Sequence, residues 1–167
     1  MKKIPLSVCI LMSVLGAGCM FYSLKPYTPL EFDKIYVAPI KNDSFAPQTC
    51  VTLTKQVRTK LANISGLELA SSPENAATLK ITIIEFGRLM ATTQEDDTSQ
   101  TKSFNIRMAI LCTLSNNVTG RVYFEDYRIS DFIECHSNDN FQALQSQAMP
   151  KLASRLADKV CDIICHL

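Results

Sequence analysis

The chain has 167 residues, with 17 basic side chains against 16 acidic and a formal net charge of +1. Nothing in that balance suggests general nucleic-acid binding, which wants a basic stripe. The length supports one sizeable core and not two.

The chain opens on Lys2 and Lys3, continues through an uncharged apolar run from Ile4 to Leu15, and reaches Leu15-Gly16-Ala17-Gly18-Cys19. The run is too short for the roughly 20 residues of a spanning helix. A basic start, a short apolar run and small residues before a cysteine form a lipoprotein signal. Gly16 stands where Leu is commonest, with Leu15 one step earlier. The expected division is a signal peptide over residues 1–18, a lipidated N-terminus and stalk over 19–33, and one domain over 34–167. Acyl chains on the sulfur and amine of Cys19 would hold the protein to a membrane, each buried CH₂ adding about 0.8 kcal/mol. Met20, where an Asp would favour the inner membrane, points to the outer one. Cleavage removes Lys2 and Lys3 and leaves a net charge of −1. Cys50, Cys112, Cys135, Cys161 and Cys165 then remain in a compartment that permits disulfides, with no pairing legible.

Pro26 and Pro29 keep the stalk irregular. Lys34 to Ile40 reads as a β-strand near an edge, because Pro39 cannot donate to a ladder. After the polar turn Lys41–Ser44, Pro47 suits a helix start. Cys50, Leu53, Val57, Leu61 and Ile64 recur at steps of three and four, one helical stripe. Gly66 is the expected helix end. Leu79, Ile81 and Ile83 alternate with polar residues as a strand. Ile84 and Phe86 fall out of phase, which a bulge near Ile83 or Ile84 would repair. Residues 94–100 form a polar hairpin tip. Phe104, Ile106, Met108, Ile110, Cys112 and Leu114 give the clearest strand. Asn116–Gly120 is a turn, since Asn and Gly tolerate positive φ. Arg121 to Phe132 is the next strand. Ser137–Asn140 caps a last helix whose stripe is Leu152, Leu156, Val160, Ile163, Ile164 and Leu167; Pro150 either kinks this helix or starts its main part.

The order β-α-β-β-β-α predicts an α+β fold, a two-layer sandwich with a four-stranded mixed sheet and two helices on one face. The first two strands are joined through a helix and so run parallel; the rest form an antiparallel meander. The uncovered face carries Asn105, Arg107, Ala109, Leu111 and Thr113. A semi-apolar face of that size predicts a partner surface.

Gly18-Cys19 followed by Tyr22-Ser23-Leu24, and Ile35-Tyr36-Val37-Ala38-Pro39-Ile40-Lys41-Asn42-Asp43-Ser44, resemble the opening of the lipopolysaccharide-assembly lipoproteins, the LptE family. Ser72–Ala77 and Gly120–Asp126 resemble later parts of it. Phe21 stands in place of the family's usual Gly, and the additional cysteines are not a family feature. The resemblance implies a lipid-anchored outer-membrane protein seated inside the LptD β-barrel, which it helps to fold and to receive lipopolysaccharide. Neither enzyme activity nor a cofactor is expected. Arg88, Lys102 and Arg107 flank the long hairpin and are candidates to meet lipopolysaccharide phosphates through charge-assisted hydrogen bonds. Asn105, Arg107 and Leu111 are candidates to face the partner.

Catalytic and metal chemistry find little support. Only two histidines occur, and no phosphate loop, Gly-x-Ser-x-Gly or His-Glu-x-x-His is present. Cys161, Cys165, His166 and the Cys135-His136 pair have loose spacing for zinc, so no metal is expected. The alternative reading is another envelope lipoprotein that binds a peptidoglycan synthase or a secretion component.

Overall fold

The computed structural model describes residues 30–44, 48–90, 103–136 and 141–167. In chain order the elements are β1 (Lys34–Val37), β2 (Lys41–Asn42), α1 (Thr49–Ala62), β3 (Glu68–Leu69), β4 (Ala77–Met90), β5 (Ser103–Asn116), β6 (Val122–His136) and α2 (Phe141–Cys165). The strands form one sheet in the order β3-β1-β4-β5-β6, with β2 also pairing with β4. β1 runs parallel to β3 and β4, and β2 parallel to β4, while β4, β5 and β6 are antiparallel. Both helices pack with one side of this sheet in a single apolar core. The expected α+β sandwich is therefore present.

The strand count is corrected from four to six, for two local reasons. Pro39 interrupts the first strand, because its ring removes a donor and fixes φ. Ala38 N–H still reaches Leu79 O at 3.0 Å and Asp43 N–H reaches Ile83 O at 2.9 Å, so the chain keeps following β4 on both sides of the break. β3 is only two residues long, too short to show a period, and pairs beside β1.

Leu53, Val57 and Leu61 of α1 are fully buried. The helix ends at Ala62, a turn earlier than expected; Asn63 N–H and Ile64 N–H bond back to Lys60 O and Leu61 O, each at 3.1 Å, and tighten the end. Gly66 does adopt the left-handed conformation, with φ of 78°, but in the following turn. Pro47 lies outside the described residues, as do the hairpin tip and the Ser137–Asn140 cap. The bulge falls between Ile83 and Glu85 and turns Phe86 to the same side as Met108. Asn116 Oδ1 accepts from Val118 N–H at 2.9 Å and Gly120 takes φ of 71°, which closes the β5–β6 turn. A second irregularity follows at Asp126, whose φ is 47° and whose N–H donates to Thr113 Oγ1 at 3.1 Å.

α2 runs unbroken through Pro150, so its main part does not begin there. Ala148 and Met149 before the proline, and Leu152, Leu156, Val160 and Ile164 after it, are buried. Fully burying each large aliphatic side chain contributes about 1.5–3 kcal/mol. That packing offsets the one missing helical hydrogen bond. Leu167, placed on the stripe by sequence, is instead half exposed beyond the helix end. Lys60 Nζ joins Asp158 Oδ1 at 2.6 Å and links the two helices. Packing begins before β1: Phe32 is buried and meets Tyr123 in a tilted ring contact with centroids 5.4 Å apart, and Arg121 Nη1 reaches Glu31 Oε1 at 2.6 Å.

Candidate functional site: the uncovered sheet face

Register assigns every strand residue a side. On β5, Phe104, Ile106, Met108, Ile110, Cys112 and Leu114 are 0–2% exposed against the helices. Asn105, Arg107, Leu111 and Thr113 point the other way and are half-buried. Across β5 and β4, Thr82 stands opposite Leu111, Glu85 opposite Ala109, Gly87 opposite Arg107 and Leu89 opposite Asn105. Across β5 and β6, Arg128 stands opposite Leu111, Ser130 opposite Ala109 and Phe132 opposite Arg107.

The middle of this face is an ion cluster. Glu85 Oε2 meets Arg128 Nη2 at 3.2 Å and Glu85 Oε1 meets Arg107 Nε at 3.8 Å. β4 and β6 flank β5, so the Glu85–Arg128 bridge crosses over β5, and it does so at Ala109. A methyl side chain leaves room for that crossing, and Ala109 is accordingly 0% exposed although it belongs to the uncovered face. Two guanidinium groups on one carboxylate leave a net positive charge. Leu89 and Phe132, 44% and 53% exposed, add apolar surface beside it. With Asn105, Arg107 and Ser130, and with Asp131 and Lys159 at the β6 edge, they line a groove of about 460 Å³. Asn105 Oδ1 is buried there and meets no donor, a costly state for a polar atom until a donor arrives. A second groove of about 490 Å³ runs between Pro39–Lys41 and Lys80, Leu111 and Thr113.

Of the three cations chosen from sequence, the two that are described lie on opposite faces of the sheet. Arg107 is on the uncovered face. Arg88 stands opposite Ile106 and so on the reverse side, with its guanidinium 4.2 Å from the Phe104 ring centre. Lys102 lies outside the described residues. Arg128 takes a place beside Arg107 that sequence reasoning missed, because its side depends on the irregularity at Asp126. Asn105, Arg107 and Leu111, the expected partner-facing set, do share one face.

The thiols are poorly suited to nucleophilic chemistry. Burial pushes Cys112 up to about 12. Burial, then the neighbouring Cys165 and the acidic Asp158 and Asp162, push Cys161 up to about 12, and burial followed by Asp162 raises Cys165. Cys50, Cys112, Cys135, Cys161 and Cys165 are all free thiols. Cys135 precedes α2 and Cys165 ends it, and a helix of this length spans about 37 Å. Among the described residues no three His, Cys, Asp or Glu side chains are grouped to hold a metal ion, and no helix is long and apolar enough to cross a membrane.

A family model described as lipopolysaccharide-assembly, LptE, matches residues 32–162. Solved structures share the fold. A minor lipoprotein from Acinetobacter baumannii is 13% identical with a TM-score of 0.56, over 83% of this chain and 94% of that one. A hypothetical protein from Chlamydia trachomatis is 12% identical with a TM-score of 0.52, over 80% of this chain and 96% of that one. An uncharacterized lipoprotein from Nitrosomonas europaea is 9% identical with a TM-score of 0.52, over 78% and 81%. No curated protein sequence matches. At these identities the structural likeness concerns the fold alone.

Proposed function

The chain belongs to the LptE family of lipopolysaccharide-assembly lipoproteins, and on that premise we propose that it is anchored through acylated Cys19 in the outer membrane and partners the LptD β-barrel in lipopolysaccharide transport. Its family is one of non-enzymatic envelope lipoproteins, so its work is binding. The family match over residues 32–162 carries this reading. The lopsided sheet supports it: one face is closed by two helices, and the other offers apolar side chains around a cationic centre. In this reading residues 1–18 are the signal peptide, 19–33 the tether and 34–167 the binding domain. Asn105, Arg107 and Leu111 face the barrel, and Arg107 together with Arg128 meets lipopolysaccharide phosphates. Arg88, near the end of β4, and Lys102, next to β5 in sequence, are further candidate cations for those phosphates.

Photocrosslinking in living cells tests the assignment. A photoreactive residue at Asn105, Arg107 or Leu111 should capture LptD, whereas one at Val51, 76% exposed on α1, should not. Mass spectrometry of the processed chain should find lipid on Cys19. Depletion that leaves barrel assembly and surface lipopolysaccharide unchanged overturns the function, and an unmodified Cys19 overturns the anchor.

A further inference from the structure

β6 is the last strand of the sheet among the described residues. A last strand presents a row of unpaired N–H and C=O groups on which another strand can add. In an antiparallel ladder, consecutive residues turn these groups alternately toward the neighbouring strand and away from it. Two carbonyls of β6 are bound by α2: Lys159 Nζ donates to Ser130 O at 2.8 Å, and Arg155 Nη1 donates to Phe132 O at 3.1 Å. Ser130 and Phe132, and with them Arg128, are therefore the outward set. The N–H of Phe132 donates to Asp131 Oδ1 at 2.8 Å. Asp131 lies on the helix side with its side chain 13% exposed, and its Oδ2 meets Lys159 Nζ at 3.2 Å and Arg155 Nε at 3.8 Å.

Arg155 and Lys159 are one helical turn apart, so both reach the same strand. Ion pairs whose cations stay half exposed contribute only about 0–1 kcal/mol to stability. Their larger effect is on hydrogen-bonding capacity, since they occupy three outward backbone groups within Ser130–Phe132. We propose that Asp131, Arg155 and Lys159 form an edge lock that prevents β6 from pairing with β6 of a second copy of this chain. Such a pair would be isologous, each edge serving as the other's partner, and it needs those backbone groups free. The lock acts whichever macromolecule the broad sheet face binds.

The test uses the full chain in detergent, followed by sedimentation equilibrium across a concentration series and by residue-resolved amide exchange. The triple variant D131A/R155M/K159M removes the three charges together, strands none of them and frees the Phe132 N–H, which an Asn at 131 would still engage. It should dimerise and protect the Ser130 and Phe132 amides in the dimer. K151M, at an exposed α2 position with the same change in net charge, should stay monomeric. A triple variant that remains monomeric, or a K151M that dimerises equally, overturns the proposal. The unaltered protein supplies a reading that needs no variant to fold: the Phe132 amide should exchange about ten-fold more slowly than the outward Arg128 amide, the worth of one net hydrogen bond. Equal exchange at the two amides overturns the lock.

Discussion

Cys112 makes alkaline stability a sensitive probe of the core. Its side chain is 0% exposed on the helix-covered face of β5. Burial disfavours the thiolate and moves the thiol from 9.0 to about 12. A folded-state value above the unfolded one means the unfolded chain gives up its proton first. The stabilising contribution is therefore complete below pH 9 and is lost as pH rises from 9 toward 12. At about 1.36 kcal/mol per pH unit, the loss reaches about 2 kcal/mol at pH 10.5 and about 4 kcal/mol at pH 12. Cys112→Val keeps an apolar side chain of similar size and removes the titration, at a neutral-pH cost below about 1.5 kcal/mol. Urea unfolding at pH 8 and pH 10.5 separates the two terms, because lysine and tyrosine titration is common to both proteins. The wild-type protein should lose about 2 kcal/mol more than the variant between those pH values. Cys161→Val should show a smaller difference, since that thiol is only partly buried. Parallel losses in wild type and Cys112→Val would refute the reasoning, because they would mean that Cys112 ionises as easily inside the sheet as in the unfolded chain.

Other substitutions separate structure from surface. Leu156→Ala empties a fully buried position of α2 and should cost about 2–5 kcal/mol in denaturant unfolding. Leu111→Glu, on the uncovered face, should cost less than about 1 kcal/mol yet abolish crosslinking to LptD; a large stability loss would show that this face is part of the core. Pro150→Ala supplies the backbone N–H that proline lacks inside α2 and removes the general helix-interior penalty of the ring, a gain of up to about 3 kcal/mol. The greater freedom of the unfolded chain offsets about 0.4–1 kcal/mol of it. The thermal midpoint should rise, and a fall would mean that the helix is built around the proline.

Legibility followed the length of each repeating signal. β5 could be read because six alternating apolar residues, Phe104 to Leu114, end on the Asn116–Gly120 turn, so period and turn chemistry agree. The bulge near Ile83 was legible for the same reason: Phe86 had to return to the face that Ile83 had left. β2 and β3 were not legible, since two residues carry no period and their pairing comes from β1 and β4. Pro150 left two readings open because a local rule for ending helices met Ala148, Met149, Leu152 and Leu156 on one stripe, and burial on both sides of the ring keeps it inside one helix. The cation cluster was half legible. Arg107 follows from the β5 alternation alone, whereas Arg128 needs the register of a third strand, and a one-residue slip there moves a side chain to the opposite face.

That dependence on register gives the uncovered face its specificity. Glu85, Arg107 and Arg128 come from three strands, and they meet only because the irregularities at Ile84 and Asp126 turn the first and the last of them to the same side. Ala109 then decides whether the bridge can cross β5, since a larger side chain there would stand between Glu85 and Arg128. A positive centre assembled this way is rigid, because moving any one cation requires a register shift in a strand whose other face is core. The Asp131–Arg155–Lys159 set takes up the neighbouring β6 edge in the same direct way. With the helices covering one face and side chains occupying that part of the edge, the broad uncovered face, with Arg107 and Arg128 at its middle, is left as the surface on which binding of a barrel wall or an anionic glycolipid is argued.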